Sequence, residues 1–202
     1  MKEGMIQFNT VFVSGKTPKD PRLGELKEWC AKFQKNYLTP VVEGNYTGNL
    51  SFRSKEGFVI TASSLKDKEN LTDDSFVYVK HYEEKNNTFY VEGTKAPSSE
   101  SVMHYLIYKH HKDVNAVFHG HNNLIVSNAG KLGLAVTEKE YGSGTTSLAK
   151  EVLKVPDAKL IVLRNHGFVS LGATMNEAGE RALTTLDAAK LERARQQSGC
   201  DC

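Results

Sequence analysis

No segment of this 202-residue chain approaches the ~20 consecutive apolar residues needed to cross a bilayer. The opening Met1-Lys2-Glu3-Gly4 leads into no apolar signal run. One-sided charge is missing as well: 26 basic residues face 24 acidic ones, interspersed along the chain, for a formal net charge of +2. That balance argues against a nucleic-acid or membrane-surface protein held by bulk charge. The expectation is a cytoplasmic protein with a small-molecule partner. Cysteine is scarce. Three residues, Cys30, Cys200 and Cys202, make no disulfide framework. Cys30 follows Trp29 on a predicted helix and reads as core, and the terminal Cys-Asp-Cys reads as a frayed, reduced tail. Internal repeats, low-complexity tracts and linkers are absent. One domain over 1–202 is expected, with 1–20 and 197–202 peripheral, and it is long enough to bury a substantial core.

Apolar spacing supplies the elements. Leu26, Trp29, Cys30 and Phe33 fall on one face of a helix predicted over 23–38. Short β-rich runs at 11–13, 50–52, 58–60, 76–79 and 89–91 predict strands, with a loop at 44–46. The pattern then alternates: helix 99–111, strand 114–118, short helix 122–129, helix 145–153, strands 160–163 and 168–171, and a long amphipathic helix 176–196. Strands crowd the first half and helices interleave with strands in the second. This predicts an α/β fold, a mixed sheet with helices on both faces.

The most informative residues are His119 and His121, in Ala116-Val117-Phe118-His119-Gly120-His121. On a strand, residues i and i+2 point to the same side, so two imidazoles can grip one cation. His166 ends a second apolar run, before Gly167, which would permit a sharp turn aiming the ring at the pair. Three histidines with an open fourth position form the pattern of a catalytic zinc site; imidazole also suits cobalt, nickel or Fe(II), and manganese is a further divalent candidate. Asn122 and Asn123 could orient the ligands from behind. His110 and His111 read as helix-end residues, and His81 and His104, without supporting pattern, as structural.

Three loops carry hydroxyls and amides: Thr47-Gly48-Asn49, Thr61-Ala62-Ser63-Ser64 and Pro97-Ser98-Ser99-Glu100. Each has two readings. Serines before a helix cap its amides, and the other loops are plain turns. Alternatively, free amides and hydroxyls seat a phosphate. Glu100, expected in the first helical turn, either favours the helix dipole or points a carboxylate at the metal.

Taken together, Gly48-Asn49-Leu50-Ser51, Ile60-Thr61-Ala62-Ser63-Ser64, Pro97-Ser98-Ser99-Glu100, His119-Gly120-His121 and Asn165-His166-Gly167 resemble the class II aldolase and adducin head family, nearest to its L-fuculose phosphate aldolase group. The motifs run in family order over residues 23–195. The resemblance implies a three-layer αβα sandwich around a mixed, largely antiparallel sheet, and a homotetramer. It implies His119, His121 and His166 as zinc ligands, and Glu100 as the catalytic acid/base. Asn49, Ser63, Ser64, Ser98 and Ser99 fall on its phosphate-binding positions. The implied reaction is cleavage of a small ketose phosphate to dihydroxyacetone phosphate and an aldehyde. Two alternatives stay open: epimerisation or dehydration at the same site, or a non-catalytic adducin-like module. Ribulose phosphate 4-epimerases of the family typically carry aspartate where Glu100 stands. Two departures stand out. Ser64 takes the place of a usual glycine, so it is strained if that position needs positive φ. Tyr141 is the nearest candidate for the family's proton-donating tyrosine, and reads equally as a packing residue.

Overall fold

The computed structural model describes residues 7–155 and 157–199. The terminal Cys-Asp-Cys and the first four residues discussed above lie outside the described residues. Sixteen elements follow in chain order: β1 (Asn9–Ser14), α1 (Leu23–Lys35), β2 (Val41–Val42), β3 (Asn45–Tyr46), β4 (Asn49–Arg53), β5 (Phe58–Thr61), β6 (Phe76–Glu83), β7 (Thr88–Glu92), α2 (Ser101–His110), β8 (Ala116–Gly120), α3 (Asn123–Ser127), β9 (Ala135–Val136), α4 (Thr146–Leu153), β10 (Leu160–Leu163), β11 (Gly167–Gly172) and α5 (Met175–Gln197). Nine strands form one sheet in the order β1-β7-β6-β5-β4-β8-β11-β10-β9. Only the outermost pairs, β1 with β7 and β9 with β10, run parallel. The sheet is therefore mixed and largely antiparallel, with helices on both faces.

The central strands are buried on both sides, and their sequences show why. Leu160-Ile161-Val162-Leu163 and Ala116-Val117-Phe118 are continuous apolar runs, and every residue of β8, β10 and β11 is buried. Alternate side chains feed two cores. Val117, Ile161, Val169 and Leu171 pack with Ile107 of α2 and Val152 of α4 on one face. Phe118, Val162 and Phe168 pack with Phe33 of α1, Ile125 of α3 and Ala182 of α5 on the other. Each large side chain so buried contributes roughly 1.5–3 kcal/mol. On the second face α1 meets α5 closely because Gly179 leaves room. A Cβ there would come within 2.3 Å of the Trp29 ring. The start of α5 is set by Thr174, whose hydroxyl accepts from Glu177 N, while the Glu177 carboxylate accepts from Ala173 N.

Two expectations are corrected here. Residues 44–46 are not simply a loop: β3 pairs with β2 in a small hairpin, closed by a turn with Glu43 and Gly44 at positive φ. Glu100 lies just before α2 rather than in its first turn, because its backbone (φ −96°, ψ 13°) is not helical. The two-residue strand β9 lacked any apolar run long enough to read.

Candidate active site

Three neighbouring central strands bring the site together. Asn49 opens β4 and pairs in register with His119 near the end of β8, and His119 pairs on its other side with Val169 of β11. His121 lies just beyond β8, where its N–H donates to Leu38 O at 2.7 Å. His166 occupies the turn from β10 to β11. The positive φ of that turn falls on Asn165 (56°), not on Gly167. Gly167 serves close approach instead: a Cβ there would stand 2.4 Å from Gly120 O. Glu100 enters from the start of α2.

These four side chains form one cluster, with one ligand atom of each lying within 4.8 Å of the others. His119 Nε2 is 2.9 Å from His121 Nε2 and 2.7 Å from Glu100 Oε2, and His166 Nε2 is 3.3 Å from Glu100 Oε1. Atoms on a tetrahedral ion with bonds of about 2.1 Å sit about 3.4 Å apart, so the cluster has the right size for one first-row divalent ion. Its chemistry fits too. His119 Nδ1 is 2.8 Å from Phe168 O, which can only accept, so Nδ1 carries the proton. In a neutral ring that leaves a lone pair on Nε2, aimed at a carboxylate oxygen and another imidazole nitrogen. A divalent ion among them would satisfy all three atoms at once. Burial alone would push the Glu100 carboxyl up, but the charges and hydrogen bonds of His119 and His166 hold it well below its usual value.

Behind the carboxylate runs a buried chain of hydrogen bonds. Asn49 Nδ2 donates to Glu100 Oε2 at 3.0 Å. The amide oxygen then faces His104 Nε2 at 2.6 Å, so Nε2 carries the proton and Nδ1 accepts from the Ser51 hydroxyl, also at 2.6 Å. The Ser51 oxygen in turn accepts from Tyr108 at 2.8 Å. Burial keeps both titratable groups behind Asn49 uncharged, pushing His104 down to about 3 and the Tyr108 phenol up. The chain fixes the direction of every donor from Tyr108 to Glu100.

The serine loops converge on the cluster. Ser63 N donates to Ala96 O and Ser98 N to Thr61 O, with Ala62 and Pro97 forming a bridge. This pairing sets Ser63 and Ser64 beside Ser98 and Ser99, and all four line one cavity with Asn49, Glu100 and His121. Neither serine before α2 caps it, since no side chain caps that helix. Ser64 does adopt positive φ (57°), the strained conformation that glycine would relieve. A second cavity opens on the other side of His121 and His166, lined by Tyr141, Tyr37, Glu140 and Asn165. Tyr141 also packs against the first core, so it occupies both of the places open to it.

The match to known proteins follows this geometry. Residues 25–192 match the Class II Aldolase and Adducin N-terminal domain family. The chain belongs to that family. Similarity to individual members is more local. A methylthioribulose-1-phosphate dehydratase of Yersinia enterocolitica is 37% identical over 75 residues, 37% of this chain and 33% of that protein. An L-fuculose phosphate aldolase of Methanocaldococcus jannaschii is 30% identical over 109 residues, 47% of this chain and 60% of that protein. The chain thus spans less than two thirds of the length of either relative. An L-fuculose 1-phosphate aldolase structure superposes with a TM-score of 0.73 at 22% identity, covering 91% of this chain and 90% of that one. At that identity the likeness bears on the three-layer fold. Class II aldolases depend on a divalent metal, and the Glu100 and histidine cluster could hold one.

Other expected residues are placed differently. Asn122 does not support the ligands: its side chain accepts from Leu124 N and Ile125 N to cap α3 and donates to Tyr37 O. His104 was the residue that pattern reading passed over. Part of its signal was present, since Asn49 and Ser51 are two apart on one strand face, and His104 lies one turn into the helix that follows Glu100. Lys68 gave no signal. Its fully buried ammonium lies at the same cavity as the serines. No described helix is long and apolar enough to cross a membrane.

Proposed function

We propose that this chain is a divalent-metal-dependent lyase that cleaves a small ketose phosphate to dihydroxyacetone phosphate and an aldehyde. The observation that carries this reading is the position of Glu100. Its carboxylate stands between a three-histidine ligand set and a serine-lined cavity. A sugar phosphate seated by Ser63, Ser64, Ser98 and Ser99 would present its carbonyl end to the histidines and its adjoining carbon to Glu100. A divalent metal held by His119, His121 and His166, zinc by default, supplies Lewis-acid polarisation of the ketose carbonyl. The chain's own residues do the rest. As the C3–C4 bond breaks, its electron pair moves toward the carbonyl as an enediolate, and Glu100 delivers the proton that C3 then needs. Tyr141, on the wall of the second cavity, would exchange a proton with the oxygen that becomes the aldehyde. The hydrogen-bond chain from Tyr108 holds Asn49, and through it Glu100, in one orientation.

A second reading keeps the site and changes the product. Similarity to a methylthioribulose-1-phosphate dehydratase favours dehydration. There Glu100 would remove a proton from C3 while the C4 hydroxyl leaves. The two reactions differ in a simple observable, because only cleavage yields a three-carbon phosphate. The test is product analysis on a panel of pentulose and hexulose 1-phosphates with added zinc, cobalt or manganese. Glu100→Gln should bind metal like the parent and lose about 10²–10⁴-fold in turnover. Full activity in Glu100→Gln would remove its assigned role. Release of water without carbon–carbon cleavage would replace the lyase reading with the dehydratase one.

A further inference from the structure

Lys68 is a buried cation without a neighbouring counter-ion. Its residue is 1% exposed. The ammonium donates to two backbone carbonyls, Thr47 O at 2.6 Å and Gly48 O at 2.7 Å. No carboxylate oxygen of a described residue comes within 4.0 Å of it. Glu100 acts on it from farther away, as does the Cys30 thiol, but the Glu100 carboxylate is already engaged by His119 and His166. Burying an ammonium is expensive unless something pairs with it, and two carbonyl dipoles compensate only in part. The strain shows in its acidity: burial brings Lys68 down to about 8.

The position of this charge is informative. Lys68 lines the cavity walled by Ser63, Ser64, Ser98 and Ser99. Those serines can donate hydrogen bonds but carry no charge, so they alone cannot neutralise a phosphate dianion. We propose that Lys68 is the phosphate-recognition cation of this site, completing the serine cradle from beneath the Thr47–Gly48 turn. This inference rests on the sugar-phosphate reading of the site. Each charge solves the other's problem. The dianion supplies the counter-charge that the buried ammonium lacks, and the ammonium offsets the phosphate's desolvation. The specificity that follows is for the dianion of a phosphate monoester over an uncharged sugar of the same shape.

The competing account is mechanical: Lys68 only clamps the two carbonyls and so shapes the turn before Asn49. Lys68→Gln separates the two, because its amide still donates to a carbonyl while the charge is gone. Lys68→Met removes both donors and charge; if it fails to fold, Lys68→Gln decides alone. Calorimetric titration of inorganic phosphate into metal-loaded protein is the primary measurement, with metal affinity measured in parallel. Phosphate should bind Lys68→Gln roughly 30-fold or more weakly than parent, with metal affinity unchanged. In steady-state assays KM for the ketose phosphate should rise more than kcat falls. Phosphate affinity in Lys68→Gln within about twofold of parent overturns the proposal and leaves the sugar-phosphate reading intact. Absence of phosphate binding by the parent overturns both.

Discussion

His104 and Asn49 are locked together in the core, with imidazole Nε2 2.6 Å from the amide oxygen, and the same amide donates to Glu100. Replacing the ring strands two buried partners at once. His104→Leu orphans the Asn49 oxygen and the Ser51 hydroxyl, each at about 1–3 kcal/mol. A loss of about 2–5 kcal/mol is expected in urea denaturation, together with a fall in turnover as Glu100 loses its orientation. An unchanged stability would show that the network adds nothing.

The same histidine sets an acid limit on stability. Burial, with the nearby charge of His119, brings it from 6.5 to about 3 in the folded chain. As pH falls, the unfolded chain takes up this proton first. The contribution is therefore complete above about pH 6.5 and lost progressively from there toward pH 3, at about 1.4 kcal/mol per unit. Unfolding midpoints between pH 7 and 4.5 should fall more steeply for the parent than for His104→Asn. Equal slopes would assign the acid loss elsewhere.

Metal removal should loosen the site from the centre of the sheet. An ion at 100 times its Kd stabilises by about 2.7 kcal/mol. A chelator should therefore lower Tm, and zinc should restore it. In His119→Ala neither addition should move Tm, since the ring that joins Phe168 O to the cluster is gone. Retention of stoichiometric metal by that variant would place the ion elsewhere.

Gly167→Ala tests how closely β11 must approach β8. The new Cβ would meet Gly120 O at 2.4 Å and His119 Cε1 at 3.2 Å. Backbone on one side cannot give way cheaply, so a cost of about 1–3 kcal/mol and weaker metal binding are expected. Gly130→Ala, with no atom within 4 Å of its added Cβ, is the control. Equal Tm and metal affinity in the two variants would show that the approach is not tight.

Most strands and helices were legible because burial imposes a period. Leu26, Trp29, Cys30 and Phe33 mark the inner face of α1, and the apolar runs of β8 and β10 mark strands covered on both sides. The short hairpin of β2 and β3 was not, because two exposed residues against two half-buried ones carry no apolar pattern. Among the candidate site residues, the His-x-His pair and His166 were legible from strand-end context. The hydrogen-bond chain through His104 was divided between a strand and a helix, with partners 51 to 57 residues apart, and no local pattern joins them.

The amino-acid order alone determined the chemical inventory: three imidazoles at strand ends, a carboxylate at a helix start, and hydroxyl-bearing loops in a family's order. Ligand type and side-chain direction along a strand are local properties, so they can be read locally. Tertiary structure decided which of these groups share a site and what surrounds them. Pairing of the two serine loops, the turn that aims His166, and the burial of Lys68 beneath Gly48 all depend on contacts between distant segments. Charge and hydrogen-bond energies depend on burial and on separations of a few ångströms, and those exist only once the sheet has closed.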